Sequence, residues 1–197
     1  MVSEQKPDVV ILVEPNNTLF NSIKKNYANI ENVYIYNNAI YYNNDEDVEL
    51  MIPSKNGILG LVADNGLIYN SGHFSLLPMN DWGNKEDMVK ITSKSITFDK
   101  ICDIHNITQI DYLQMDTEGF DREIIKMIDF TKYKIKTIRF EKWTFDPDCF
   151  TRYNEDIHKE LGRNGMSVCI DKLTKHNYII NDIHDKMGND YLATLIE

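Results

Sequence analysis

The first 40 residues alternate between apolar strand-like and helix-like stretches. Val9 to Val13 form a continuous apolar run closed by Glu14 and Pro15, which is typical of a parallel strand covered on both faces. Asn17 or Thr18 is expected to cap a helix that runs to about Tyr27, because apolar residues then recur at helical spacing. A second strand follows at Val33–Tyr36. Strand, helix and strand within 30 residues predict a βαβ unit with a right-handed crossover.

The pattern changes after Asp45 to short apolar pieces separated by turns. Val48–Pro53, Gly60–Ala63 and Leu67–Tyr69 are divided by Lys-Asn-Gly and Asp-Asn-Gly. Asn-Gly steps are strong turn signals since both residues tolerate positive φ. This stretch is therefore predicted to be a β-hairpin insertion, followed by a polar loop over residues 70–85.

A strand followed by an acidic turn and a helix lies at the centre of the chain. After a short strand at Val89–Ser95 and a helix at Phe98–His105, a buried strand is predicted at Ile110–Met115. The hydrophobic period then changes at Asp116-Thr117-Glu118-Gly119, and a helix begins near Asp121. In open α/β sheets ligands bind beyond the carboxyl ends of the strands, so this turn is the first candidate site.

The remaining periodic segments complete an α/β pattern. A strand is expected at Lys136–Phe140, ending at Glu141, and a helix at Asn154–Leu161, which stops at a following glycine. Met166–Asp171 and Tyr191–Ile196 are interpreted as closing strands. Because no repeat or linker-like tract is present, residues 1–197 are expected to form one domain.

Composition limits the kinds of partner. The chain has 197 residues, 42% hydrophobic and 26% charged, which is typical of a soluble globular domain. The formal net charge of −10 argues against non-specific binding to nucleic acid or to an anionic membrane. The sequence contains neither a signal-peptide pattern nor an apolar run long enough to span a membrane, so a cytoplasmic protein is expected.

Cysteine and histidine spacing predicts no metal site. Cys102, Cys149 and Cys169 are widely separated, and the five histidines are scattered. No Cys-x-x-Cys or Cys/His ligand pattern is present. The thiols are interpreted as buried or incidental groups in a reducing compartment.

Three acidic positions follow predicted strands: Glu14, the pair Asp116 and Glu118, and Glu141. In a doubly wound sheet these positions are expected to converge on one edge. An acid after the second nucleotide-binding strand often accepts hydrogen bonds from ribose hydroxyls, although Glu14 is equally readable as a loop acid before a proline. If the strand continues to Glu118, the Glu118 carboxyl lies roughly 6–7 Å from the Asp116 carboxyl on the same strand face. If the turn begins earlier, the two carboxyls are separated. The pair is read either as ligand-orienting groups and a general base or, for Glu118, as a first-turn acid favoured by the helix dipole.

Several of these segments together resemble the FkbM-type methyltransferases. The matching segments, in order, are Val13-Glu14-Pro15-Asn16, Asn38-Ala39, Asn70-Ser71-Gly72 with Ser75-Leu76, Ile96 to Ile101, and Ile110 to Gly119. Order and spacing agree from about Asp8 to Glu141. The Asp-x-Glu-Gly segment with its preceding strand is the most specific part.

The resemblance implies a Rossmann-like class I methyltransferase fold that uses S-adenosyl-L-methionine, usually to methylate a hydroxyl oxygen. It implies that Glu14 binds the cofactor ribose and that Asn38 and Ala39 lie near the adenine. Asp116 would lie near the methionine end and the acceptor. On the acceptor side, Glu118 and His73 are the expected catalytic groups, and Ser71, Ser75 and Glu141 are the expected substrate-binding groups. His73 is alternatively an exposed loop histidine.

One feature of that family is missing at the start of the sequence. Family members carry a first strand and a glycine-rich turn that receives the carboxylate end of the cofactor. Only 13 residues precede Glu14 here, and none is glycine. A sheet truncated at its N-terminus is expected, lacking the strand between Val9–Val13 and Ile110–Met115.

Three explanations of this difference stay open: a fragment, a strand supplied by a partner or a second copy, or a rearranged sheet that no longer binds cofactor. The two functional hypotheses are accordingly an O-methyltransferase acting on a sugar, glycan or small metabolite, and a catalytically inactive methyltransferase-like module for binding or assembly. The second predicts no cofactor binding and an open sheet edge that invites pairing.

Overall fold

The computed structural model describes residues 7–52, 88–142, 167–185 and 188–196. Strands, helices and connecting segments in these residues form an α/β fold with three sheets. In chain order the elements are β1 (Val10–Val13), α1 (Asn17–Asn26), β2 (Val33–Tyr36), β3 (Ala39–Ile40), β4 (Asp47–Ile52), β5 (Val89–Ile96), α2 (Phe98–Ile104), β6 (Gln109–Gln114), α3 (Asp121–Met127), β7 (Lys134–Glu141), α4 (residues 167–175), β8 (Tyr178–Asp185) and β9 (Gly188–Leu195).

The predicted N-terminal βαβ unit is confirmed. Strands β1 and β2 pair in parallel from Val10 opposite Val33 to Val13 opposite Tyr36, with α1 between them. The predicted helix cap, Asn17 or Thr18, was wrong. The cap is Asn16, whose side chain accepts a hydrogen bond from the Thr18 N–H (2.9 Å). Asn16 is buried at this end of the strand, whereas the expected caps Asn17 and Thr18 are exposed.

The middle sheet contains the two predicted strands on either side of the insertion. Strand β4 pairs with β5 in antiparallel fashion along its whole length, from Asp47 opposite Lys94 to Ile52 opposite Val89. The short strand β3 pairs with the end of β5 in parallel. The other predicted pieces of the hairpin insertion, Gly60–Ala63 and Leu67–Tyr69, lie outside the described residues, as does the loop over residues 70–85.

The third sheet has the order β6-β7-β9-β8 and carries the main core. Strands β6 and β7 are parallel, and β9 pairs antiparallel with both β7 and β8. The central strand β7 and helix α3 supply fully buried side chains on this sheet, among them Ile125, Ile135, Ile138 and Phe140. This core supports the turn between β6 and α3.

The predicted strand at Met166–Asp171 is wrong, because residues 167–175 are helical. Cys169 and Leu173, four positions apart, are both fully buried on one helix face. The strand that pairs with β9 on the side away from β7 is instead Tyr178–Asp185, which the sequence interpretation missed. The predicted helix Asn154–Leu161 lies outside the described residues.

The three parallel strand pairs that the structure describes, β1–β2, β3–β5 and β6–β7, belong to three separate sheets. Among the described residues, β1 pairs with β2 alone, and β6 pairs on one side with β7. A single Rossmann-like sheet and its truncation therefore stay predictions. None of the helices in the described ranges is both long enough and apolar enough to cross a membrane.

Candidate functional site

Glu14 lies directly after β1 and continues its pairing with β2. Its backbone N–H donates to the Tyr36 carbonyl oxygen (2.9 Å), so β1 and β2 end together. Its carboxylate Oε1 accepts a hydrogen bond from the Asn16 N–H (2.7 Å). The side chain is half-buried, and this burial raises the pKa of Glu14 above its usual range, while the Asn16 N–H acts in the opposite direction. The second carboxylate oxygen, Oε2, retains the capacity to accept hydrogen bonds from a ligand.

Asn37 joins the ends of the two strands through its side chain. Its Nδ2 donates to the carbonyl oxygens of Glu14 (2.9 Å) and Pro15 (3.3 Å). The next residue, Asn38, donates from Nδ2 to the Lys94 carbonyl oxygen (3.1 Å), and Ala39 is buried at the start of β3. The segment expected near the adenine therefore links the end of β2 to strand β5.

A cavity of about 540 Å³ opens beside these strand ends. It lies between the start of α1, the end of β2 and strand β5. Polar groups and two apolar residues line it: Pro15, Asn16, Asn17, Thr18, Asn37, Ile91, Thr92, Ser93 and Lys94. Its size and mixed lining suit a nucleoside-sized ligand, and two of its lining residues, Pro15 and Asn16, directly follow Glu14.

The turn after β6 begins too early for Asp116 and Glu118 to lie on one strand face. Strand β6 ends at Gln114, and Glu118 has a left-handed backbone (φ 51°) followed by Gly119 (φ 101°). The two carboxylates therefore do not share a strand face: Asp116 is exposed and Glu118 is buried. Because α3 begins at Asp121, Glu118 is not a first-turn acid either.

The backbone of Glu118 is unusual in this chain. The other non-glycine residues with positive φ in the described part are Asn or Asp, which tolerate this region. A left-handed conformation costs a residue such as Glu about 1 kcal/mol, and strained backbone of this kind is enriched at functional sites. The conformation of the turn therefore marks it as a functional candidate.

Asp121 is the site residue that sequence reasoning missed. It is fully buried, and its Oδ1 accepts hydrogen bonds from the Thr117 N–H (2.9 Å) and the Thr117 hydroxyl. Its Oδ2 accepts a hydrogen bond from the Glu141 N–H (3.0 Å). Burial raises the pKa of the Asp121 carboxyl; the hydrogen bonds lower it, and the negative charge of Asp116 raises it further.

Asp121 therefore brings the end of β7 to the turn after β6. Glu141, the last residue of β7, was expected to contribute to the site, and its backbone is tied to the same carboxylate as Thr117. The sequence signal for Asp121 was weak, because an acid in the first turn of a helix is also ordinary dipole compensation.

The expected site residues fall into two groups in the structure. Glu14 lies with Asn37 at the ends of β1 and β2, and Asp116 lies near Asp121 and, through it, Glu141. Convergence of Glu14 and Asp116 on one rim stays a prediction, since β1 and β6 are in separate sheets. Three candidates lie outside the described residues: Ser71, His73 and Ser75.

An aromatic contact connects the segment after β3 to the start of α3. The ring of Tyr41 stacks on that of Phe120, with centroids 5.7 Å apart and an interplanar angle of 20°. The hydroxyl of the next residue, Tyr42, donates to the buried carboxylate of Glu123, which also pairs with Lys126 (2.7 Å). Tyr41 and Tyr42 therefore link the segment after β3 to the start of α3, next to the turn that contains Asp116.

The described cysteines are packing groups. Cys102 and Cys169 are buried, and burial raises the pKa of their thiols to about 11 and about 12. This agrees with their interpretation as inert thiols; Cys149 lies outside the described residues. No group of three or more His, Cys, Asp or Glu side chains in the described ranges is arranged to hold a metal ion.

Comparison with protein families gives one match, which covers most of the chain. The model described as "Methyltransferase FkbM domain" matches residues 3–180. Searches of curated proteins and of solved structures gave no match. The matched range includes both groups of site residues, and it confirms the resemblance drawn from the sequence motifs.

Proposed function

Because the chain belongs to the FkbM methyltransferase domain family, we propose that it transfers a methyl group from S-adenosylmethionine to a hydroxyl oxygen of a sugar, glycan or other small metabolite. The family supports methyl transfer in general. The choice of donor and of acceptor is the part that we propose.

The nucleoside part of the donor fits the end of β1 and β2. Glu14 is held at the strand end by Asn16 and Asn37, and its Oε2 can accept hydrogen bonds from ribose hydroxyls. The adjoining cavity of about 540 Å³ has room for an adenine ring. The half-buried Glu14 at paired parallel strand ends, directly followed by the cavity-lining residues Pro15 and Asn16, is the observation that carries the proposal.

The methyl group would react at the turn after β6. When bound, S-adenosylmethionine supplies an electrophilic methyl carbon on a positively charged sulfur. The exposed carboxylate of Asp116 gives this turn a negative charge that favours a cationic donor. The turn and the end of β7 would hold donor and acceptor in line, which is the main contribution a protein makes to such a displacement.

The acceptor hydroxyl must lose its proton as its oxygen forms the new bond to carbon. The bond from carbon to sulfur breaks in the same step, and the electron pair goes to sulfur. We assign the proton to Asp116 or His73 as general base. Glu118, Glu141, Ser71 and Ser75 are the proposed contacts around the reacting groups and the acceptor.

Calorimetric titration of the whole chain with S-adenosylmethionine tests the proposal. We expect saturable binding that Glu14→Gln weakens by roughly tenfold, since one charge-assisted pair of ribose hydrogen bonds is lost. Glu31→Gln changes an exposed acid on the same half of the chain and should leave the affinity unchanged. An absence of heat at millimolar cofactor would contradict the proposal and favour the inactive binding module; sedimentation would then show whether the chain self-associates.

A further inference from the structure

Two consecutive buried charged residues hold the turn between Asp116 and Gly119 from both of its ends. Asp121 accepts the hydrogen bonds from the Thr117 N–H and hydroxyl at the start of the turn. Arg122 donates from Nε to the Gly119 carbonyl oxygen (2.7 Å) at its end. Both side chains are fully buried. The first residues of α3 therefore reach back onto the turn that precedes them.

Burial makes these contacts more than ordinary helix capping. Removing a carboxylate and a guanidinium from water is costly unless their hydrogen-bonding groups are used inside the protein. Both carboxylate oxygens of Asp121 are used, and all three of their bonds go to Thr117 or to the backbone of Glu141. Phe120, the N-cap residue of α3, makes no side-chain cap bond, so the side-chain contacts from this helix to the turn come from the residues that follow it.

We propose that Asp121 and Arg122 are positioning residues that keep the Asp116–Gly119 turn and the end of β7 in one arrangement, ready for the methyl donor. The inference rests on the proposed function for its ligand but not for its geometry. The left-handed backbone of Glu118 lies between Thr117 and Gly119, the two residues that these contacts hold. A turn that is already in its binding conformation avoids the entropic cost of ordering when the donor binds.

The chain contains a matched control for this arrangement. In the exposed loop after α3, Asp129 Oδ1 accepts hydrogen bonds from the Thr131 N–H (2.9 Å) and the Thr131 hydroxyl (2.6 Å). This is the same pair of bonds that Thr117 makes to Asp121. It differs in being exposed and in lying outside both groups of site residues.

The first experiment measures the affinity for S-adenosylmethionine in Thr117→Val, Thr117→Ser and Thr131→Val. Valine removes the hydroxyl donor at either place, and serine restores it at position 117. We expect Thr117→Val to weaken binding by roughly tenfold, Thr117→Ser to bind as the wild type does, and Thr131→Val to have no effect. Equal affinity in Thr117→Val and the wild type would overturn the proposal.

The second experiment does not need a ligand and so separates the two proposals. Amide hydrogen exchange of Asp121→Asn should be faster than in the wild type by on the order of tenfold at residues 117–120 and 141, with little change elsewhere. Asp129→Asn should leave these amides unchanged. If the wild type binds no S-adenosylmethionine, the proposed function fails and exchange alone decides the positioning role. Exchange that is unchanged, or that is faster throughout the chain, overturns the positioning role. If Asp121→Asn does not fold, exchange is measured in Thr117→Val instead.

Discussion

The two groups of site residues are held by very different amounts of packing. At the ends of β1 and β2, all four residues of β1 are half-buried, and α1 buries none of its side chains. At the turn after β6, five consecutive residues of α3, from Asp121 to Ile125, are buried. One group is supported by polar contacts at strand ends, and the other is built into the main core.

The difference in packing fits the division of tasks that we propose for the two groups. Regions with few buried apolar contacts open at low free energy, whereas a core segment opens with global unfolding. The β1–β2 end, with its cavity, is suited to admit and release a large ligand. The turn after β6 is suited to keep reacting groups at fixed distances, because its geometry is set by buried hydrogen bonds before a ligand arrives.

The largest expected effect is a loss of turnover, without a loss of stability, when Asp116 is changed. Asp116→Asn should lower turnover by about 10²–10⁴-fold, since a general base contributes that much, without changing the fold. The measurement is release of S-adenosylhomocysteine with a panel of sugars and polyols, alongside a thermal unfolding scan. Asp111→Asn, an exposed acid on β6, is the control. Unchanged turnover in Asp116→Asn would remove Asp116 from this role.

The next effect tests the contrast in packing directly. Ile138 is fully buried in β7, and Ile35 is half-buried in β2. Ile138→Ala should lower the free energy of unfolding by about 2–5 kcal/mol through lost burial and an unfilled cavity, and Ile35→Ala by about 1 kcal/mol. Urea unfolding of both variants gives the comparison. Equal losses of unfolding free energy in the two variants would mean that β2 and β7 are packed equally well.

The pH dependence of ligand binding should come from the β1–β2 end. Burial raises the pKa of Glu14, so as the pH falls through that raised pKa the carboxylate is protonated before an ordinary glutamate would be. Ribose hydroxyls bind best to the ionised form, so affinity for S-adenosylmethionine should fall as the pH drops below that pKa and level off near the roughly tenfold loss expected for Glu14→Gln. Calorimetry between neutral and mildly acidic pH tests this. A Glu14→Gln chain with the same pH dependence as the wild type would assign the titration to another group.

The smallest expected effect is the loss of stability on breaking the hydrogen bond between Tyr42, after β3, and Glu123 in α3. Tyr42→Phe removes the hydrogen bond to the buried Glu123 carboxylate and should cost about 1 kcal/mol of unfolding free energy, because Lys126 still pairs with Glu123. Tyr112→Phe, at an exposed position on β6, should cost nothing measurable. Chemical denaturation of the two variants measures the difference. Identical stability would show that the tyrosine hydroxyl does not support the junction.

Hydrophobic patterning predicted the elements that surround the site. The run Val9–Val13 and the strand Val33–Tyr36 led to the parallel βαβ unit, and the change of period near Asp116 located the turn before α3. The same method failed at residues 167–175, because a short apolar run fits a helix or a strand until its buried partners are known. Cys169 and Leu173 show the helical spacing only when Leu173, beyond the end of the predicted strand, is included.

Site details depended on contacts between residues far apart in sequence. The caps and acids at strand ends are local features, so Glu14 and Asp116 could be selected from the sequence. The role of Asp121 could not, because one of its partners, the Glu141 N–H, is 20 residues away. Where Glu118 points was also undetermined, since it depends on whether the strand ends at Gln114 or continues.

The contacts of helix α4 with α3 bear on the order in which the chain acquires its site during synthesis. Lys172 donates from Nζ to the carbonyl oxygens of Lys126 (2.6 Å) and Ile128 (2.7 Å), and the Cys169 thiol lies 3.7 Å from the Arg122 carbonyl oxygen. The C-terminal end of α3 is thus completed by residues about 45 positions further along. While the ribosome is still making those residues, helix α3 lacks these contacts, so a nascent chain stalled before residue 167 would carry every proposed catalytic residue without the completed support of α3.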